Sequence, residues 1–415
     1  MSLDGLDERF GRAKIAMRYR LRAASDQLFA IAAIVAFAQV LSVTAQAPPG
    51  KQTEEEATSK RLHGKGWWPT ATYAKREAFV GTEACRACHS DKVFQQQRTS
   101  MAKAAWKAAE TAVLQSNSSI SHSIPPFQTE IAKDREGNTY TVKRGGEEMT
   151  GRILWSMGND TMGQTFVLRS NGNLFESELS YFASIRGLDL TPGHSKPSPE
   201  NLEQAFGERQ SAEDAQKCFA CHTTASSVRG QFDPERAIPG ITCEACHGPG
   251  ALHVKAMQDK QIEEGRNAIV DPGSFDPVKL VDFCGACHRA PLDVAAMKAY
   301  VPINIRFQPY RLSKSRCWSK PDRRISCIAC HNPHDEVVRD ITYYDSKCLA
   351  CHAERLTPTS PREQGSAAPG TLPSCKVSTS HCVSCHMPKY VVPQMHGSFT
   401  DHDIRIVHAG DPLPL

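Results

Sequence analysis

Three patterns of apolar and polar residues follow one another along the chain. Near the N-terminus a nearly continuous apolar run, Leu28–Val43 (LFAIAAIVAFAQVLSV), follows Arg18, Arg20 and Arg22 and runs into the small residues of VTAQA. Between about 125 and 185 apolar positions alternate with polar ones or cluster as β-branched and aromatic residues, in TYTVKR (139–144), QTFVLRS (164–170) and LFESELSYF (174–182). Asn171-Gly172 separates the last two, a two-residue hairpin signal. A small antiparallel β meander is therefore predicted over 125–185. Elsewhere the apolar positions are short and interrupted by Pro and Gly, which predicts short helices joined by loops. DKVFQQQRTSMAKAAWKAAETAVLQ (91–115) has helix-favouring composition, with Phe94, Met101, Trp106 and Val113 as packing positions. The expected fold is mainly α with much irregular loop, plus that one meander.

The first pattern reads as an export signal: basic, then apolar, then small residues. The apolar run falls short of the ~20 residues of a membrane span. Cleavage after Ala45 is expected, with an uncleaved N-terminal anchor as the alternative; Met17 as the start gives a more ordinary leader. The expected organisation is 1–47 leader, 48–80 polar linker, 81–124 first helical segment, 125–185 β subdomain and 186–415 a larger unit. Aromatic residues make up only 7%, against 27 Gly and 26 Pro, so side chains alone leave a core short of material. A formal charge of +4 gives no support for nucleic-acid binding.

The sixteen cysteines change the picture. Cys-x-x-Cys-His occurs seven times: Cys85, Cys88, His89; Cys218, Cys221, His222; Cys243, Cys246, His247; Cys284, Cys287, His288; Cys327, Cys330, His331; Cys348, Cys351, His352; and Cys382, Cys385, His386. Zinc sites and exported disulfide scaffolds do not demand a histidine after every second cysteine, and a thioredoxin-like CxxC needs a βαβ context that is missing. Two thiols three apart can form thioethers to the two vinyl groups of one haem, and the next residue then projects over the macrocycle, where an imidazole reaches the iron. The motifs imply seven covalently attached c-type haems whose flat apolar surfaces form much of the core. The 133 residues between Cys85 and Cys218 hold something other than haem.

Nine histidines lie outside the motifs. His253, His334, His381, His396 and His402 are the candidates for the second axial position, with His194 next; His63, in the linker, and His122, in a polar loop, are disfavoured. Met101 stands after the first motif either as a ligand or as a packing residue. The leftover Cys317 and Cys375 suggest a disulfide.

FVGTEACRACH with RTSMAKA, CFACHTT, GITCEACHGPGALHV, VDFCGACHR, RFQPYRLSKSRCW, SCIACHNPH, and CVSCHMPK with HGSFTDHDI together resemble multihaem cytochromes of the cytochrome c-554 type, over about residues 80–408. These are related to hydroxylamine oxidoreductase and pentahaem nitrite reductase. The resemblance implies closely packed, mostly bis-histidine haems carrying electrons in a periplasm-like space, with redox partners such as other cytochromes or a quinol-oxidising membrane complex. A membrane contact is expected only through an uncleaved N-terminal segment. The chain has no CxxCK, the motif that binds the catalytic haem of pentahaem nitrite reductases. A crosslinked tyrosine of the hydroxylamine type has no matched position among Tyr181, Tyr300, Tyr310, Tyr343 and Tyr344. Electron transfer is the expected function. The alternative is an oxidoreductase for a small nitrogen or sulfur oxyanion at one open haem, the first being the expected open site because of Met101.

Overall fold

The computed structural model describes residues 67–413 except 72, 195–198, 298–300, 319–323, 353–374, 376 and 409. The expected leader, most of the expected linker, His63 and Tyr300 lie outside the described residues. Among the described residues no helix is long and apolar enough to cross a membrane.

Alternating sequence produces far more sheet than a small meander. Strands β1 (Ala105–Lys107), β2 (Ser119–Ile124), β3 (Phe127–Asp134), β4 (Gly137–Arg144), β5 (Glu147–Met157), β6 (Gly163–Ser170), β7 (Asn173–Ser177), β8 (Leu179–Phe182), β9 (Gly187–Leu190) and β10 (Gly207–Gln210) form one ten-stranded antiparallel sheet. Its main path runs β10-β7-β6-β5-β4-β3-β2, with β1 on β5, β8 on β6 and β9 on β8. The expectation of a mainly α chain is thus wrong. Three of the unexpected strands, β1, β9 and β10, are too short for any local signal and exist through pairing alone. The longest, β5, begins with two glutamates and contains Gly151, which hides its alternation. Gly151 is needed there: a Cβ would come within 2.7 Å of Phe206 and 2.9 Å of the Arg169 carbonyl.

The Asn171-Gly172 hairpin signal corresponds to a tight turn closed by the Ser170–Asn173 pair. Both turn residues have positive φ, 46° and 79°, the conformation that two-residue hairpins need and that Asn and Gly tolerate. The expected helix over 91–115 is broken. A helix covers Thr82–Gln96, with non-helical backbone at His89, and the chain then turns to lay Ala105–Lys107 along β5. Phe94, expected to pack, is 60% exposed, whereas its neighbour Val93 is buried. Edge pairing with β5 wins over local helix propensity.

One face of the sheet carries Ile131, Tyr140, Val142, Ile153, Phe166, Leu168 and Phe175, closed over by Phe206 and Leu114. This core is built from side chains. The opposite face of β5 and β6 buries Trp155, Met157 and Val167 against Phe219 and Ala237. That second face joins the sheet to the rest of the chain, because Phe219 belongs to the second CxxCH motif.

The motifs themselves lie on short helices: Thr82–Gln96, Ala212–His222, Cys243–His247, Pro277–His288, Cys327–Cys330, Asp345–His352 and Cys382–His386. On a helix, positions i and i+3 share a face and i+4 adjoins them, so both thiols share one side, joined by the imidazole where the helix continues through the histidine, as it does not at His89 or His331. Ser211 caps its helix by accepting from the Asp214 amide, and Asp276 accepts from Val278 and Lys279 ahead of Pro277.

Candidate functional site

Motifs two to seven surround one cavity of about 2430 Å³, and both cysteines and the histidine of each line it. A pocket for one small molecule holds roughly 300–1,000 Å³, and protein interiors are otherwise close-packed. Its walls include Met157, Val167, Phe175, Phe182, Leu280, Phe283 and Leu312. Apolar walls studded with thiol pairs and imidazoles fit several flat macrocycles, each held by two cysteines and one histidine.

Three imidazole pairs have the spacing of ligands on opposite sides of one metal. An imidazole nitrogen binds a metal at about 2.0 Å and its ring centre lies roughly 1 Å further on, so two opposed rings have centres about 6 Å apart. His89 and His253 are 6.4 Å apart, His247 and His334 5.8 Å, and His331 and His402 6.3 Å. The pairing alternates along the chain. The partner of the first-motif histidine follows motif three, that of the third follows motif five, and that of the fifth follows motif seven.

Backbone carbonyls fix the tautomers. Nδ1–H of His247 donates to Val270 at 2.8 Å, that of His253 to Gly265 at 2.7 Å, that of His402 to Thr400 at 3.1 Å, that of His222 to Ala104 at 2.9 Å and that of His386 to Arg405 at 2.8 Å. A carbonyl only accepts, so each Nε2 keeps a lone pair for a metal. Burial pushes His222, His288, His331 and His334 below the usual imidazole range and His402 down to about 4. These rings are neutral, the form that binds iron.

The attachment thiols also meet across motifs. Cys85 neighbours Cys243, Cys221 neighbours Cys287, Cys284 neighbours Cys327 and Cys348 neighbours Cys382, each pair near enough for one thiol to shift the other's pKa. Cys246 and Cys287, and Cys330 and Cys351, are close enough to interact electrostatically. These contacts order the motifs in space as 1-3-4-5-6-7, with motif two branching at four.

Residues between the motif cysteines anchor the helices. Phe219, fully buried, packs edge-on to Trp155 at 5.3 Å and to Phe232 at 5.1 Å. Glu244 is 1% exposed, and its carboxylate accepts from the amides of Val80, Gly81 and Gly250, each at 2.8 Å. It thereby ties motif three to the start of the motif-one helix. Glu244→Ala leaves three amides without an acceptor and is expected to cost roughly 3 kcal/mol; unfolding by denaturant that matches wild type within ~1 kcal/mol would show the bonds to be dispensable.

A buried ion pair holds the seventh-motif segment. Arg311 and Asp401 are both fully buried and joined by two 2.8 Å hydrogen bonds. Arg405 adds a 2.6 Å bond to Asp401. Burial, the largest single influence, favours the neutral acid, but the hydrogen bonds from Arg311, the Asp403 amide and Arg405, with the Arg311 charge, together outweigh it and hold Asp401 below the usual carboxylate range. The Ser315 hydroxyl donates to the His402 carbonyl at 2.7 Å, which completes the fixing of His402.

The remaining candidates divide. His381 lines the cavity directly before Cys382, and His408, which the sequence did not single out, lines it too. His396 instead binds Asp189 through Nε2 at 2.7 Å and packs on Phe182. His122 lies on β2 opposite Thr129. Met101 lines the large cavity, whereas His253 stands opposite His89, so the expectation that Met101 marks the first motif as open loses its basis. Cys317 and Cys375 both line the cavity and are not bonded to each other here.

His194 differs from the neutral histidines. Its Nδ1–H donates to Glu178 at 2.6 Å. Burial would lower its pKa, but Glu176 and Glu178 more than offset this and raise it to about 9. A pKa raised above the unfolded value of 6.5 contributes stability that is complete below pH 6.5 and lost as pH rises through about 9. Thermal stability should therefore fall between pH 7 and 10 in wild type and flatten in His194→Gln; parallel curves for the two proteins would contradict this.

Other groups were not legible in the sequence. Arg289 and Arg306 line the cavity and bear electrostatically on His222 together with Glu176. Burial lowers the pKa of Arg306. Two cations on an apolar wall complement the carboxylates that haem carries. No motif marks them; only folding brings them to His222.

Residues 192–248, which contain the second and third motifs, match the family model described as cytochrome c554 and c-prime. The multiheme cytochrome MtrA of Shewanella baltica (strain OS185) is 25% identical over 226 residues, covering 51% of this chain and 56% of the relative. The chain thus spans little more than half the length of that curated relative. The crystal structure of outer cell wall cytochrome OcwA aligns over 80% of each chain, at 16% identity and a TM-score of 0.43. With the seven motifs and the histidine-lined cavity, the family-model match and the likeness to MtrA identify the chain as a multihaem c-type cytochrome, an electron-transport class of haem protein.

Proposed function

We propose that the protein is an exported, heptahaem electron carrier acting between redox partner proteins in a periplasmic or cell-surface space. The observation that carries this reading is the series of neighbouring motif thiols running 1-3-4-5-6-7, interleaved with three imidazole pairs 5.8–6.4 Å apart. Haem iron, when bound, takes up and releases single electrons. The chain's own part is to hold the macrocycles close together, supply neutral imidazoles on both faces, exclude water with apolar walls, and place Arg289 and Arg306 against carboxylates. Axial ligation and burial then set each potential. In this reading His381 and His408 are further ligand candidates from the cavity wall, while His194 and His396 are committed to carboxylates. The basic, apolar and small-residue order at the N-terminus supports export, and partners would be other cytochromes or a quinol-oxidising membrane complex. The test is direct. Protein from a host with the maturation machinery should carry the mass of seven haems in thioether linkage and show sharp visible bands on reduction. A product with fewer attached groups would overturn the heptahaem count, and a colourless one the whole reading.

A second reading, reduction or oxidation of a small oxyanion, draws on Arg289 and Arg306 beside His222. It requires an open iron there. Electron paramagnetic resonance of the oxidised protein showing only low-spin haem would exclude it.

A further inference from the structure

We propose that Glu176, Glu208 and His194 form a divalent-cation site of the zinc class on the sheet, separate from the haem ligands. Glu176 on β7 and Glu208 on β10 are directly opposed across the antiparallel pair, which puts both carboxylates on one face. Like charges so opposed destabilise a sheet unless a cation lies between them. His194, four residues beyond β9, supplies the third group. Its Nε2 lies 3.5 Å from Glu176 and 3.8 Å from Glu208, and the candidate ligand atoms all fall within 4.8 Å of one another.

A second observation points to a ligand. The His194 side chain is 93% buried by the 7% exposure it retains, yet its Nε2 makes no hydrogen bond. The Glu176 oxygen is within ion-pair range but outside hydrogen-bond geometry. Meanwhile Nδ1–H is held by Glu178 at 2.6 Å. A carboxylate fixing one imidazole nitrogen while the other faces two further carboxylates is the arrangement that orients a metal-binding histidine. One imidazole and two carboxylates suit a borderline divalent ion such as Zn²⁺ and leave a coordination position open. Glu208, 68% exposed, provides the entry route. Glu176 also lines the haem cavity and bears on His222, so an ion here changes the charge felt at the second motif.

The test uses the holoprotein, freed of adventitious metal by a chelator and dialysed against buffered Zn²⁺, with bound zinc measured by elemental analysis. Wild type should retain one more zinc per chain than His194→Ala. Glu208→Gln, an exposed substitution that leaves the fold intact, should weaken that site at least ~10-fold. Equal zinc retention by wild type and Glu208→Gln would overturn the proposal. So would a low-spin haem signal turning high-spin in His194→Ala, which would assign His194 to an iron instead.

Discussion

Asp401→Ala is expected to destabilise the protein by about 3–5 kcal/mol and to turn one low-spin haem high-spin. The energetic part follows from burial. Arg311 and Asp401 are both fully enclosed, so deleting the carboxylate strips a desolvated guanidinium of its two 2.8 Å hydrogen bonds and its nearest counter-charge. The spectroscopic part follows from geometry. Asp401 also accepts from the Asp403 amide at 3.0 Å, so it braces both sides of His402, whose ring faces His331. Chemical denaturation of the holoprotein and electron paramagnetic resonance read the two effects separately. Replacing the pair together, as Arg311→Met with Asp401→Leu, should recover part of the lost stability, because an apolar pair carries no desolvation cost. A single Asp401→Ala variant of wild-type stability with all haems low-spin would contradict the positioning role.

His334→Ala should act on a different haem and barely on the fold. The His334 and His247 rings are nearly parallel, 6° apart in orientation, and His334 sits in a turn rather than in a packed core. Its loss removes one axial imidazole while the thioethers and His247 remain. The oxidised protein should gain one high-spin ferric signal, and the affected haem should shift in potential on the order of 100 mV, within the ~0.8 V over which axial ligands tune haem iron. Imidazole added to the solution should restore the low-spin signal. An unchanged spectrum would show that His334 serves no iron.

The candidate attachment motifs were legible because CxxCH is a local pattern, complete within five residues. The distal candidates His253, His334 and His402 were legible as histidines in excess of the motifs, but their partners were not, since the pairing joins residues up to 164 positions apart. The sheet was legible only where alternating or β-branched and aromatic residues stood out, in β4, β6, β7 and β8. The strand Ala105–Lys107 lay inside a helix-favouring stretch, and the expectation of a mainly α chain failed there and at β5. Glu244 and Arg311 gave no sequence signal, because a charged residue in a CxxCH spacer or a loop looks solvated until folding buries it.

By itself the sequence determined the seven CxxCH motifs and their places along the chain, because the spacing of two thiols and an imidazole suited to one macrocycle is complete within five residues. It also determined the Asn171-Gly172 turn, because positive φ at two successive positions selects those residues. Only the tertiary structure decided which imidazoles face each other, in what order the motifs touch, and how His194 came to lie among three carboxylates. Each of these depends on strands and helices distant in sequence closing on one another, and no local preference encodes that.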